Sequence, residues 1–237
     1  MSLEEMIYKR KSTRSFTDEN IDAKTMDKIK EFCTNIKPLY DDIEIFADFV
    51  SKKDVKCVLP WKTPQMITIY SEEKEGMYEN VGFIFQQLDL YLQSLELGVC
   101  WLGIGKSKED RKGKLKYVIM MAFGYPKGER CRSSVSEFKR KPLCEIALKE
   151  NKRLEPARLA PSSVNSQPWY FVQSGNTFHT YCVQKGIFSK VLGSMNLIDV
   201  GICLAHMYVA NSEKFKFFKD ENAPLKKGYG YVGSFVI

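Results

Sequence analysis

The sequence predicts an α+β fold, an α/β/α sandwich in which a mainly antiparallel sheet is flanked by helices, with two related halves fused in one chain of 237 residues. Three observations predict it. Two long stretches, Tyr78–Leu97 and Asn196–Ser212, repeat apolar residues at helical spacing and are expected to pack centrally. Runs rich in β-branched and aromatic residues, bounded by Gly, Pro, Asn and Ser, lie on either side of each stretch. Finally, Asn80-Val81-Gly82 in the first stretch is matched by Asp199-Val200-Gly201 in the second, about half a chain further on, as duplication and fusion would leave it.

Taken in order, Ser2 followed by Glu5 reads as a capping box that opens a short helix through Met6 and Ile7, ending near Lys9. The polar stretch Arg10–Arg14 follows, with Phe16 behind it. Asp22 caps a second helix whose apolar face is Met26, Ile29, Phe32, Cys33 and Ile36. Lys37–Thr63 is irregular and yields no assigned element. Met66–Tyr70 alternates as a strand. In the first long helix Val81, Ile84, Phe85, Leu88, Leu92 and Leu95 point inward, and Gly98 stands where a C-cap glycine belongs. Val118–Phe123 is a strand that Gly124-Tyr125-Pro126 ends. In the second half, the strands Trp169–Val172 and Thr177–Val183 flank a turn at Ser174-Gly175-Asn176. The second long helix turns Leu197, Val200, Leu204, Met207 and Tyr208 inward, and Tyr229–Val236 is the last strand. Phe123-Gly124-Tyr125 has a counterpart in Gly228–Gly233. The expected organisation is a single domain over residues 1–237, with halves of about 1–140 and 141–237.

Composition narrows the function. The longest apolar run, Val118–Phe123, is far too short to cross a bilayer, so no membrane partner is expected. The Met-Ser-Leu-Glu-Glu start has no basic region followed by an apolar one, so no secretory signal is read. Seven cysteines form no C-x-x-C pair, and His179 and His206 lie far apart, which speaks against a metal site or a disulfide framework and for reduced thiols in a cytoplasmic protein. A net charge of +7 permits an anionic ligand. Nucleic acid is not an expected partner, because the basic segments lack interleaved aromatics and no reader motif occurs. Gly228–Gly233 fits G-x-G-x-x-G, but that pattern needs a following helix and the chain ends four residues later.

Two segments carry chemistry. Arg10-Lys11-Ser12-Thr13-Arg14 packs three cations and hydroxyls into one turn, which suits a phosphate-bearing ligand or a solvated basic loop. Ala160-Pro161-Ser162-Ser163-Val164-Asn165-Ser166-Gln167-Pro168-Trp169 is a rigid run of short hydrogen-bonding side chains. It suits a heteroaromatic edge or polyol, or equally a turn that caps its own backbone. No Ser/His/Asp or Cys/His set is present, so no catalytic side chain is assigned.

Together these segments resemble the FMN-binding nitroreductase family, which opens with an Arg-rich Ser-containing stretch and carries a Pro-Ser-Ser-x-Asn-x-Gln-Pro-Trp loop. Gly98–Gly103, Gly124–Pro126 and Arg140–Leu143 follow the same family habits. The resemblance implies a nitroreductase-like flavoprotein passing electrons from NAD(P)H through bound FMN to a small-molecule acceptor. An FMN store or sensor without NAD(P)H turnover is the alternative, followed by a relative that binds no flavin. It implies that Arg10 and Ser12 contact the phosphate and ribityl chain with Arg140 as a second phosphate partner, that Lys11 also belongs to the cofactor-binding set, and that Arg14 lies at the N1–C2 edge of the ring. Pro161, Ser162, Ser163 and Asn165 would approach from the other side, with Leu102 and Gly103 offering a backbone N–H. Trp101 and Trp169 are read as core anchors. Family members place the Pro-Ser-Ser loop early and dimerise so that each site uses both subunits. Here the loop occurs only in the second half, so the chain is expected to mimic that dimer with one site kept and its mate lost, binding one FMN.

Overall fold

The N-terminal capping box forms in a computed structural model that describes residues 1–57, 65–184 and 193–237. Ser2 Oγ accepts the Glu5 N–H and the Glu5 carboxylate accepts the Ser2 N–H, opening α1 (Leu3–Ile7). The Asp22 carboxylate accepts the Thr25 N–H at 2.9 Å and starts α2 (Ala23–Thr34). The stretch read as irregular holds β1 (Ile45–Val50) and β2 (Val55–Lys56), and its residues from 58 onward lie outside the described part. β1 pairs with a single neighbour and most of its side chains are half-buried on both faces, so no alternation marks it in sequence.

The chain continues through β3 (Gln65–Ser71), α3 (Met77–Ser94), β4 (Gly98–Leu102), β5 (Lys106–Ser107), β6 (Arg111–Lys112) and β7 (Leu115–Gly124). Two short helices follow, α4 (Leu143–Ile146) and α5 (Glu155–Leu159). Then come β8 (Trp169–Ser174), β9 (Thr177–Val183), α6 (Gly193–Val209), β10 (Lys216–Phe218) and β11 (Tyr229–Val236). The strands pair antiparallel throughout. One sheet runs β1-β3-β7-β4 with β6 beside β7, a second runs β8-β9-β11-β10, and β2 pairs with β5. The antiparallel pairing expected for one sheet is thus divided between two large ones. With the two-residue β6 set aside, both share one winding, in which a long helix links the second strand to the third and the last strand inserts between those two.

Each long helix packs on its own sheet, α3 against β3, β4 and β7 and α6 against β8 and β9, and the two helices pack on each other. Their crossing explains the matched tripeptides. A Cβ on Gly82 would collide with the Ile198 carbonyl of α6, and one on Gly201 would collide with the Glu79 carbonyl of α3. Ile198 and Glu79 each stand three residues before the partner glycine, so the contact is reciprocal. A continuous apolar core surrounds this crossing, taking in Phe83, Phe123, Trp169, Phe171 and Phe235. Among the described residues no helix is long and apolar enough to cross a membrane.

Two local expectations are corrected. α3 ends at Ser94, and the residue in the left-handed region after it is Glu96 (φ 70°), not Gly98. Gly98 begins β4, where a Cβ would run into the Thr13 side chain. Its glycine therefore serves close packing against the basic turn rather than a helix end. The second correction concerns Trp101: Trp169 is a buried anchor, but Trp101 is half-buried and faces a cleft.

Candidate functional site

The site is organised by polar residues buried on α3, an otherwise apolar helix. Buried polar groups must find partners, and two of those on α3, Asp89 and Gln93, reach for the basic turn. Asp89 takes the Arg10 guanidinium in two hydrogen bonds, Nε to Oδ1 at 3.1 Å and Nη2 to Oδ2 at 3.3 Å, with both side chains essentially inaccessible to solvent. Gln93 donates to Asp89 Oδ1 and accepts the Lys11 N–H at 3.0 Å. The next residues zip onto the edge of β4: Ser12 bridges Val99 in parallel, and the Thr13 N–H donates to the Val99 carbonyl at 2.9 Å. This anchoring leaves Ser12 and Arg14 on the wall of a cavity.

The proline-flanked loop supplies the opposite wall. Ser162 Oγ accepts the Gln167 N–H at 2.9 Å, and Gln167 Oε1 accepts the Lys141 N–H at 2.8 Å. Asn165 donates to the Lys139 carbonyl and accepts from Arg140 Nη1 at 2.6 Å. These bonds hold Val164 (φ 46°), Asn165 (φ 57°) and Gln167 (φ 48°) in the left-handed region. For a β-branched residue such as Val164 that conformation costs roughly 1–2 kcal/mol, and such strain concentrates at functional sites. On α6, both carboxylate oxygens of Asp199 accept the Ser163 N–H at 3.0 Å. Pro161, Ser162 and Ser163 thereby line the same cavity, of about 150 Å³, as Ser12 and Arg14.

Trp101 and Gly103, at the end of β4, complete the wall together with Met195 and Asp199 of α6. The Trp101 indole is fixed by a directed chain across the helix crossing. Its N–H donates to Gln86 Oε1 at 3.3 Å, Gln86 Nε2 meets His206 Nε2 at 3.1 Å, and His206 Nδ1 meets the Pro156 carbonyl at 3.0 Å. A carbonyl only accepts, so the network assigns the proton of His206 to Nδ1 and leaves Nε2 to accept from Gln86. Burial pushes the His206 imidazole down to about 3, which keeps it neutral near pH 7.

Beside the cavity lies a cluster of guanidinium groups. Arg132 donates to the Arg10 carbonyl and stacks over Phe138 at 4.1 Å, and Arg140 lies over the same ring at 5.7 Å. Burial, and then the positive charges of Arg10, Arg132 and Arg158, push Arg140 down to about 10. The cluster is thus richer in positive charge than Asp89 alone offsets.

Of the residues singled out in the sequence, Ser12, Arg14, Gly103, Pro161, Ser162 and Ser163 converge on the cavity. Arg10 sits behind Ser12, reaching its hydroxyl at 3.4 Å. Lys11 turns outward to Glu129 at 3.5 Å. Leu102 is buried in a small apolar cluster, and Arg140 and Asn165 bind each other behind the loop. Sequence reasoning missed Asp89, Gln93, Gln86, Arg132 and His206 as parts of the site, and saw Asp199 only as a repeat match. The available signal was an acid or amide recurring on the inward face of an apolar helix.

The class that the fold defines is an α+β sandwich in which a basic turn and a proline-flanked polar loop meet over a central helix pair. The chain belongs to a nitroreductase family, whose model, described as "Putative TM nitroreductase", matches residues 2–211. Among solved structures it is similar to a "putative nitroreductase" from Thermotoga maritima, at 21% identity over 99% of this chain and 92% of that one, with a TM-score of 0.66. A nitroreductase family protein from Clostridium difficile 630 aligns at 14% identity over 61% of this chain and 95% of that one, with a TM-score of 0.49. An FMN-dependent nitroreductase from Clostridium difficile R20291 aligns at 15% identity over 59% and 98%, with a TM-score of 0.43. No curated protein matches the chain.

Proposed function

We propose that the protein is an FMN-dependent oxidoreductase that passes two electrons from NAD(P)H through bound flavin to a small electrophilic acceptor. The observation that carries this reading is the convergence of Ser12 and Arg14 with Pro161, Ser162 and Ser163 on one cavity, although the two segments lie more than a hundred residues apart. The residues fit the cofactor chemically. The surplus guanidinium charge of Arg10, Arg132 and Arg140 suits a phosphate, and Ser12 suits the polyol between phosphate and ring. Arg14, the Ser163 side chain and the backbone about Gly103 offer a cation and hydrogen-bonding groups to the edge of a flat heteroaromatic. Bound flavin supplies hydride chemistry in both half-reactions. The chain's own groups bind, orient and exclude water: the Trp101 indole forms a fixed aromatic wall, and the Gln167-braced loop closes the other side.

We further propose that residues of about 1–140 and 141–237 form two halves that arose by duplication and mimic a family dimer. The shared strand winding and the reciprocal glycine contacts support this. They also explain why one site suffices. On α3, Asn80 holds the backbone of Leu39 and Tyr40 as Asp199 on α6 holds Ser163. There, however, the Tyr40 ring packs edge-on against Phe217 of β10 at 5.6 Å, so aromatic side chains fill the corresponding place. One FMN per chain is therefore expected when the flavin is released by denaturation and measured against protein. NADH or NADPH should bleach the flavin anaerobically. A ratio near two contradicts the single-site arrangement, and flavin that stays oxidised contradicts the enzyme reading.

A further inference from the structure

The reading above gives Asp199 no chemical task beyond holding Ser163. Its carboxylate lies in the wall of the cleft, the residue is 3% exposed, and its two oxygens share the single Ser163 N–H. A buried carboxylate with one neutral partner is costly to keep ionised. The corresponding residue of α3 shows what loop-holding alone requires. Asn80 accepts the Leu39 and Tyr40 N–H groups at 2.8 and 3.1 Å and donates to the Tyr40 carbonyl at 3.0 Å. A neutral amide suffices there. The acid stands at the position that shares a cleft with Arg14.

We propose that Asp199 is a further catalytic residue of the cleft, a carboxyl group that gives its proton to the acceptor as the acceptor receives hydride. The proposal rests on the flavin-dependent reading. For a quinone acceptor the step balances as follows. Hydride brings two electrons and one hydrogen, taken from the reduced cofactor, and leaves negative charge on an acceptor oxygen. The Asp199 O–H bond breaks, an O–H bond forms on that oxygen, and the Asp199 carboxylate regains a proton from water before the next turnover.

The surroundings agree with a group that is protonated near neutrality. Burial raises the Asp199 carboxyl to about 8. Burial also raises the neighbouring thiols, Cys203 on the same helix, Cys182 on β9 and Cys100 on β4, and the Glu79 carboxyl on α3. His206, two turns along α6, is held neutral, and Arg14 is the cation that shares the cleft lining.

Asp199→Asn tests the proposal, because an amide oxygen still accepts the Ser163 N–H while the proton is removed. The first measurement needs no cofactor: the urea stability of wild type and variant compared from pH 4 to 9. A carboxyl raised on folding stabilises fully below its unfolded value of about 3.9, and that advantage is lost as pH rises towards 8. Wild type should therefore lose ground to the variant across this range, and a flat difference overturns the proposal. If the variant does not fold, 13C-labelled aspartate in the wild type reports the same titration by NMR. The second measurement uses the FMN-loaded protein with NADH and benzoquinone at pH 7. The expected result is a loss of roughly 100-fold in kcat for the variant, with FMN affinity unchanged and with the wild-type decline above pH 8 abolished. Unaltered turnover in a normal FMN complex overturns this proposal alone, whereas a wild type that binds no FMN overturns the reading beneath it.

Discussion

At the residue scale the cations of the site divide into those directed away from the cleft and Arg14, which lines it. Arg10 is matched by Asp89, Arg140 is tied to Asn165, and Lys11 faces solvent beside Glu129. Arg14 lines the cleft, exposed, with no acidic partner among the described residues. Its charge is therefore available to a ligand on which negative charge builds up. At ~4 Å such a cation contributes about 1 kcal/mol in water and about 4 at an effective dielectric of 20, and the exposure of Arg14 favours the lower figure. Reduction adds electron density to a flavin, so Arg14 should favour the reduced state. Arg14→Ala is expected to lower the two-electron potential by roughly 20–40 mV, about 1–2 kcal/mol. Spectroelectrochemical titration of the variant measures this directly, and an unchanged potential would remove Arg14 from the flavin edge.

At the element scale the site depends on how closely α3 and α6 approach. Gly82 and Gly201 let each backbone lie against the other, and the same approach brings Gln86 within reach of His206 and so fixes Trp101. Gly201→Ala places a methyl group against the Glu79 carbonyl, a backbone atom that cannot swing aside, so the helices must separate. Overpacking of this kind typically costs 1–3 kcal/mol, and a rigid obstacle puts Gly201→Ala at about 3 kcal/mol. Gly82→Ala, facing the Ile198 carbonyl in the reciprocal contact, should match it. Urea denaturation of both variants tests the symmetry: a severe loss in one with no effect in the other would show that the crossing is not reciprocal in energy.

At the scale of the whole molecule, the features legible in the sequence are those written locally. The long helices, the strand–turn–strand of β8 and β9, and the terminal strand all announce themselves by period or by turn residues, and the α+β class follows from them. Among the strands that escaped notice, β1 and β10 lie at a sheet edge with a mixed environment on their faces, and β4 lies at an edge closed by the Ser12 bridge. The others, β2, β5 and β6, are only two residues long. The basic turn and the polar loop were legible by composition. Their convergence was not, because it is carried by pairs such as Arg10–Asp89 and Ser163–Asp199, 79 and 36 residues apart, whose members look unremarkable alone. The resulting cleft takes Ser12, Arg14 and Trp101 from one half and Pro161, Ser163 and Asp199 from the other, and the apolar core crosses the same boundary without a break. A ligand in that cleft therefore binds a surface that exists only when both halves are folded and joined. Linkage then sets the size of the effect: FMN at about 100 times its Kd should raise the unfolding free energy by about 2.7 kcal/mol. That gain should appear as a shift of one cooperative transition, with tryptophan fluorescence and far-ultraviolet circular dichroism moving together. Two separated transitions, only one of them sensitive to FMN, would mean that one half folds alone and holds the cofactor without the other.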